Sequence, residues 1–174
     1  IYGFKRNNVY RDTFFTYSME IQKLKIFDSF NSNELKKTAI IIPAYNEEKR
    51  INRTLEEYAI FFEERKKIGE LSGFEILVVL NACKDNTLEV VKEKQKKYNE
   101  IRFLNFEQGG KGFAIIEGFR DALKRDNWLI GFVDADMATP PEAFYDLIKN
   151  IRDFDGILAS RWMKESIIRT KQTL

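Results

Sequence analysis

Residues 39–48 read Ala39-Ile40-Ile41-Ile42-Pro43-Ala44-Tyr45-Asn46-Glu47-Glu48. Four apolar residues in succession, stopped by a proline and followed at once by polar residues, predict a short strand buried on both faces that ends in a loop. The pattern then repeats. Ile76-Leu77-Val78-Val79-Leu80 runs into Asn81-Ala82-Cys83-Lys84-Asp85-Asn86-Thr87, the strand over 101–106 into Gln108-Gly109-Gly110-Lys111-Gly112, and the strand over 128–133 into Asp134-Ala135-Asp136. Between these strands lie stretches of helical period. Ile51, Leu55, Tyr58 and Phe62 mark one face of a helix over 47–67, and helices are predicted over 85–98, 111–124 and from Pro141 to about residue 150, where proline suits the first turn. Continuous apolar strands alternating with amphipathic helices predict an α/β domain, a mostly parallel sheet with helices on both faces. Ile157-Leu158-Ala159 is a candidate fifth strand.

The small, polar and glycine residues each sit just after a strand. In a parallel sheet those strand ends share one edge, where open α/β sheets bind ligands at the switch in strand order. Asp134 and Asp136, two apart at a strand end, can point to the same side and repel unless a cation lies between or beside them. An isolated D-x-D matches by chance, and Asp136 could equally cap the helix that follows. The converging loops are what favour a ligand site. Gly110 and Lys111, entering a helix, form a turn whose N–H groups and ammonium favour anionic oxygens, though a solvated lysine on a simple turn reads almost as well. Asp85 and Thr87 can cap their helix. Cys83 has nothing beside it to mark a nucleophile. Ser160 and Arg161 follow the last strand, and an arginine there could grip a phosphate bidentately.

Composition narrows the chemistry. The chain of 174 residues contains no histidine, so Ser-His-Asp catalysis is excluded within it and a metal site must use oxygen ligands, which points to Mg2+ or Mn2+. Cys83 is the single cysteine, so there is no internal disulfide framework, and a reducing compartment is expected. Lys and Arg total 29 against 27 Asp and Glu, a balance that gives no electrostatic reason to expect nucleic acid. No apolar run approaches the roughly 20 residues that span a bilayer. Residues 1–37 differ from the rest, being aromatic and basic. Phe14, Tyr17, Ile21 and Leu24 fall on one helical stripe, which predicts a helix packed on the domain in preference to a membrane-surface helix. The start at Ile1 and the abrupt end over Ile167 to Leu174 lead us to expect a longer native protein.

From about Thr38 to Trp162 the chain resembles the family-2 inverting glycosyltransferases with the Rossmann-like GT-A fold. The resemblance rests on residues 41–48, on Gly110-Lys111-Gly112 with Ala114, on Val133-Asp134-Ala135-Asp136 and on Ala159-Ser160-Arg161. With Ala138-Thr139-Pro140-Pro141-Glu142, the combination is most similar to dolichyl-phosphate glucosyl- and mannosyltransferases. The resemblance implies a nucleotide-sugar-binding domain over 38–174 behind an extension over 1–37. Pro43, Ala44, Tyr45 and Glu47 would line the nucleotide, with Lys111 and Gly110 near it. Asp134 and Asp136 would hold the catalytic metal, and Ser160 and Arg161 would approach an acceptor phosphate. The expected reaction moves a hexose from a UDP- or GDP-sugar to a polyprenyl phosphate, at the cytosolic face of a membrane that the protein contacts peripherally or through a tether. The alternatives are a polysaccharide or soluble-sugar acceptor, a non-catalytic nucleotide-sugar module, or nucleotidyl transfer. One departure stands out: the family's Asp-Asp-Gly-Ser after the second strand is here Leu80-Asn81-Ala82-Cys83. A base-reading carboxylate is missing, and Asn81 offers a base edge both donor and acceptor in its place.

Overall fold

The computed structural model describes residues 2–4, 36–151 and 154–160. The chain divides into two compact units, Leu35–Asp146 and a second made of Ile1–Glu34 with Leu147–Leu174.

The larger unit is a four-stranded sheet in the order β4-β3-β2-β5, every pair parallel. Its strands are β2 (Lys37–Ala44), β3 (Gly73–Asn81), β4 (Ile101–Phe106) and β5 (Leu129–Phe132). Its helices are α1 (Ile51–Lys67), α2 (Thr87–Lys97) and α3 (Lys111–Ala122), and it also holds the start of α4 (Pro141–Asn150). β2 and β3 are the central strands, and Ile40, Ile41, Ile42 and residues 76–80 are fully buried, as strands covered on both faces require. Ala39, Ile41, Leu77 and Val79 meet Ala114 and Ala122 of α3 on one face. On the other, α1 packs against α2 and β3, with Phe62 against Phe74. Helices on both faces of a parallel sheet are the expected architecture.

Gly118 lets α3 approach the sheet closely: a Cβ there would sit 2.5 Å from Ile41 Cγ2 and 3.1 Å from Val79 Cγ2. Below β3, on the edge away from the loops, Glu75 is buried and receives the Arg125 Nε at 3.0 and 2.9 Å on its two oxygens.

Several element ends shift by one or two residues from the sequence expectation, and two features differ by more. α1 begins at Ile51, because residues 45–50 are held in loop and turn by contacts to the next loop, described below. The candidate fifth strand exists as β6 (Gly156–Leu158), but it pairs antiparallel with β1 (Tyr2–Phe4) in a separate two-stranded sheet. A run this short fixes strand character and leaves its partner open. The aromatic stripe at Phe14, Tyr17, Ile21 and Leu24 lies outside the described residues. Among the described residues no helix is long and apolar enough to cross a membrane.

Candidate functional site

The chain runs outward from β2 to β3 to β4 and then returns across the sheet to place β5 on the other side of β2. The strand order therefore switches between β2 and β5, and a pocket lies there at the carboxyl ends of the strands. Pro43, Tyr45 and Glu47 line it from the loop after β2, Asn81 from the end of β3, Lys111 from the head of α3, and Asp134 and Asp136 from the loop after β5. Those seven predicted residues are brought together. Ala44 is fully buried, and its carbonyl accepts the Asn81 Nδ2. Gly110 sits beside Lys111 with φ 123°, a conformation that suits glycine. Ser160 follows β6 in the smaller unit, and Arg161 lies outside the described residues.

The loops after β2 and β3 are tied to each other. Glu47 N–H donates to Thr87 Oγ1 at 2.8 Å, Glu48 N–H to Asp85 Oδ2 at 3.2 Å, and Lys84 N–H to Asn46 Oδ1 at 2.8 Å. Burial raises the Asp85 carboxyl, but hydrogen bonds from Thr87 and from the Glu48 N–H outweigh that and leave it below the usual carboxylate value. Asp85 and Thr87 thus support the neighbouring loop as well as starting α2. Asn81 spans two walls: its Nδ2 donates to Ala44 O at 2.8 Å, and its Oδ1 accepts from Gly110 N–H at 3.1 Å. These partners fix the orientation of the amide and leave it one N–H and one lone pair for a ligand. Cys83 Sγ donates to the same Ala44 carbonyl at 3.4 Å.

The loop carrying Asp134 and Asp136 is held from α1. Thr54 Oγ1 donates to Ala135 O at 2.7 Å in a fully buried contact, and Tyr58 OH donates to Thr139 O at 2.8 Å. Burial pushes the Tyr58 phenol well above its usual pKa, with the nearby Glu142 adding to the shift, so it remains a donor. Sequence reasoning placed Tyr58 on the core stripe and passed over Thr54. The signal was a hydroxyl residue on the apolar face of a helix, between Ile51 and Leu55.

The charges in the pocket are distributed unevenly. The Glu47 carboxylate is gripped by Arg50 in a two-point pair at 2.7 and 2.8 Å. Asp136 Oδ1 accepts the Ala138 N–H at 3.0 Å, and Asp134 Oδ1 lies 2.5 Å from Lys111 Nζ. The donor set facing the pocket is all oxygen. Among the described residues no three His, Cys, Asp or Glu side chains gather to enclose an ion. That set fits Mg2+ or Mn2+, which are commonly bound by one or two carboxylates, with phosphate oxygens and water completing the sphere.

A dolichyl-phosphate beta-glucosyltransferase of Trichomonas vaginalis is 39% identical over 121 residues, covering 69% of this chain and 35% of that protein. The dolichol-phosphate mannosyltransferase of Pyrococcus furiosus is 32% identical over 129 residues, covering 74% of this chain and 34% of that protein. The chain thus spans about a third of the length of these curated relatives. Among solved structures, a mannosyltransferase of Pyrobaculum calidifontis in complex with GDP-Man and Mn2+ superposes with a TM-score of 0.54 at 20% identity, over 67% of this chain and 32% of that one. It shares the GT-A type of Rossmann-like fold with this chain. The model of the family described as "Glycosyl transferase family 2" matches residues 39–172, from the first central strand through the rest of the α/β unit and beyond. By that match the chain belongs to glycosyl transferase family 2.

Proposed function

We propose that this chain is the donor-binding part of an inverting glycosyltransferase that moves a hexose from a UDP- or GDP-sugar to a polyprenyl phosphate such as dolichyl phosphate, at the cytosolic face of a membrane. The observation that carries the proposal is the pocket at the strand-order switch, where Lys111, Asp134 and Asp136 face the loops after β2 and β3. Pro43, Tyr45 and Asn81 form the side that receives the nucleotide. Lys111 and the N–H groups at the head of α3 receive diphosphate oxygens. Asp134 and Asp136 hold the divalent cation on that diphosphate. Bound there, Mg2+ or Mn2+ would neutralise the charge that develops on the leaving nucleoside diphosphate.

The dolichyl-phosphate transferases among the relatives support a lipid phosphate as the acceptor. Such a phosphate is already an anion and needs little help from a general base, which a sugar hydroxyl requires. Ser160 and Arg161 are the proposed contacts to the acceptor phosphate, and contact with the membrane is peripheral or through a tether.

Calorimetric titration with UDP-glucose and GDP-mannose, with and without Mn2+, tests the donor site. One donor should bind in a metal-dependent manner, and Asp136→Ala should weaken it at least tenfold. Transfer of labelled sugar to dolichyl phosphate, but not to soluble sugars, tests the acceptor. A folded protein that binds neither donor would refute the reading.

A further inference from the structure

Lys111 is the first residue of α3, and its ammonium stands 2.5 Å from Asp134 Oδ1. A divalent cation bound to that oxygen would meet a like charge at contact distance, so ammonium and cation compete for one ligand. The backbone beneath Lys111 is fixed: Gly110 N–H is held by Asn81, which is anchored in turn on Ala44. The side chain beyond it is 59% exposed and Asp134 is 43% exposed, so the pair is solvated, weak and free to exchange without any movement of the helix. A diphosphate arriving at the head of α3 offers the lysine a stronger anion than one carboxylate, at a helix N-terminus that already favours negative charge.

We propose that Lys111 is an internal counter-ion that occupies Asp134 in the nucleotide-free protein and is drawn off it by the diphosphate, so that the cation and the nucleotide bind with positive coupling. The inference rests on the donor-site reading above and deepens it. Because coupling between two ligands is reciprocal, the nucleotide tightens the cation by the same factor as the cation tightens the nucleotide. Lys111 is a positioning residue in the empty site and a diphosphate contact in the filled one.

The test is Mn2+ binding to the full chain, followed by the electron paramagnetic resonance signal of free Mn2+, without nucleotide and with saturating UDP or GDP in separate titrations. Wild type is compared with Lys111→Gln, Lys111→Arg and Asp134→Asn. Without nucleotide, Lys111→Gln should bind Mn2+ roughly three- to fivefold more tightly than wild type, the range that loss of a competing exposed ion pair allows. Lys111→Arg should behave as wild type, and nucleotide should tighten Mn2+ less in Lys111→Gln than in wild type. Lys111 is exposed, so its variants should melt with wild type, and the readout is affinity alone. If Lys111→Gln binds Mn2+ no more tightly than wild type, while Asp134→Asn still abolishes the nucleotide-dependent binding, the counter-ion is overturned and the donor site stands. If wild type shows no Asp134-dependent Mn2+ binding with either nucleotide, the donor-site reading fails and the counter-ion with it.

Discussion

Replacing Thr54 by valine keeps the shape of a fully buried side chain and removes one hydroxyl. The hydroxyl donates at 2.7 Å to the carbonyl of Ala135, the residue between Asp134 and Asp136, and that carbonyl lies in a buried contact. Two effects follow. Leaving a buried carbonyl without its donor costs about 1–3 kcal/mol. In a chain of this length each kcal/mol lowers Tm by roughly 2–4 °C, so a central value of about 2 kcal/mol should lower Tm by roughly 4–8 °C. The second effect is on the ligand. With its support removed, the loop holds the two carboxylates less firmly. On the proposed donor site, metal-dependent donor binding should then weaken roughly tenfold, the low end of what loss of an outer support to a metal ligand costs. The assay pairs calorimetric donor titration at saturating Mn2+ with a thermal melt. Thr54→Ser, which keeps the hydroxyl, should retain most of the affinity even if its missing methyl lowers Tm. A Thr54→Val protein with wild-type melting and wild-type metal dependence would refute the claim that α1 positions the carboxylate loop.

Three further outcomes follow from contacts elsewhere. Gly118→Ala should destabilise by about 1–2 kcal/mol in urea unfolding, because its Cβ at 2.5 Å from Ile41 Cγ2 overpacks a buried strand by more than the gain in helix propensity returns. Glu56 takes hydrogen bonds from Lys94, Lys97 and Tyr98, which hold its pKa down at about 2. A carboxyl depressed on folding stabilises above its unfolded value near 4.3 and loses that contribution as pH falls towards 2. Glu56→Gln should therefore cost about 1 kcal/mol at pH 7, a figure kept low for a partly solvated cluster, and the gap to wild type in urea midpoint should close near pH 2. Asn81→Asp, which restores the carboxylate usual in the family at this position, would turn an oxygen towards the Ala44 carbonyl where Nδ2 now donates. It should destabilise by about 1–3 kcal/mol at pH 7 and by less at pH 4, where the acid is protonated, as thermal melts at the two pH values would report.

The central strands were legible because burial on both faces leaves an uninterrupted apolar run, and residues 39–42 and 76–80 carry one each. The loops were legible because the strands are parallel, so residues after each strand end share an edge. The start of α1 was not. Glu47 and Glu48 look like the acidic first turn of a helix, yet their N–H groups are taken by Thr87 and Asp85, forty and thirty-seven positions away. No local pattern encodes such a pairing. The partner of β6 was hidden for a related reason: three residues specify extended backbone, while the choice between the edge of the large sheet and a strand from the N-terminus depends on contacts distant in sequence. In the site, Asp134, Asp136 and Lys111 announced themselves as charged residues in glycine- and alanine-rich loops. Thr54 did not, since a helical threonine is common and only the structure reveals the carbonyl it reaches.

The position of β5 also bears on how this site comes into being. β2 pairs with β3 and with β5, but the second pairing joins Thr38 to Leu129, across the whole of β3, β4 and three helices. Closing so long a loop carries the largest entropic cost of any pairing in the larger sheet. During synthesis, β2, β3 and β4 can assemble before the ribosome has released the segment that bears Asp134 and Asp136. The half of the pocket made by the first two loops is therefore built early, and the carboxylates arrive with the last strand to dock. A chain stalled before that step would have a folded core and a pocket that lacks both carboxylates.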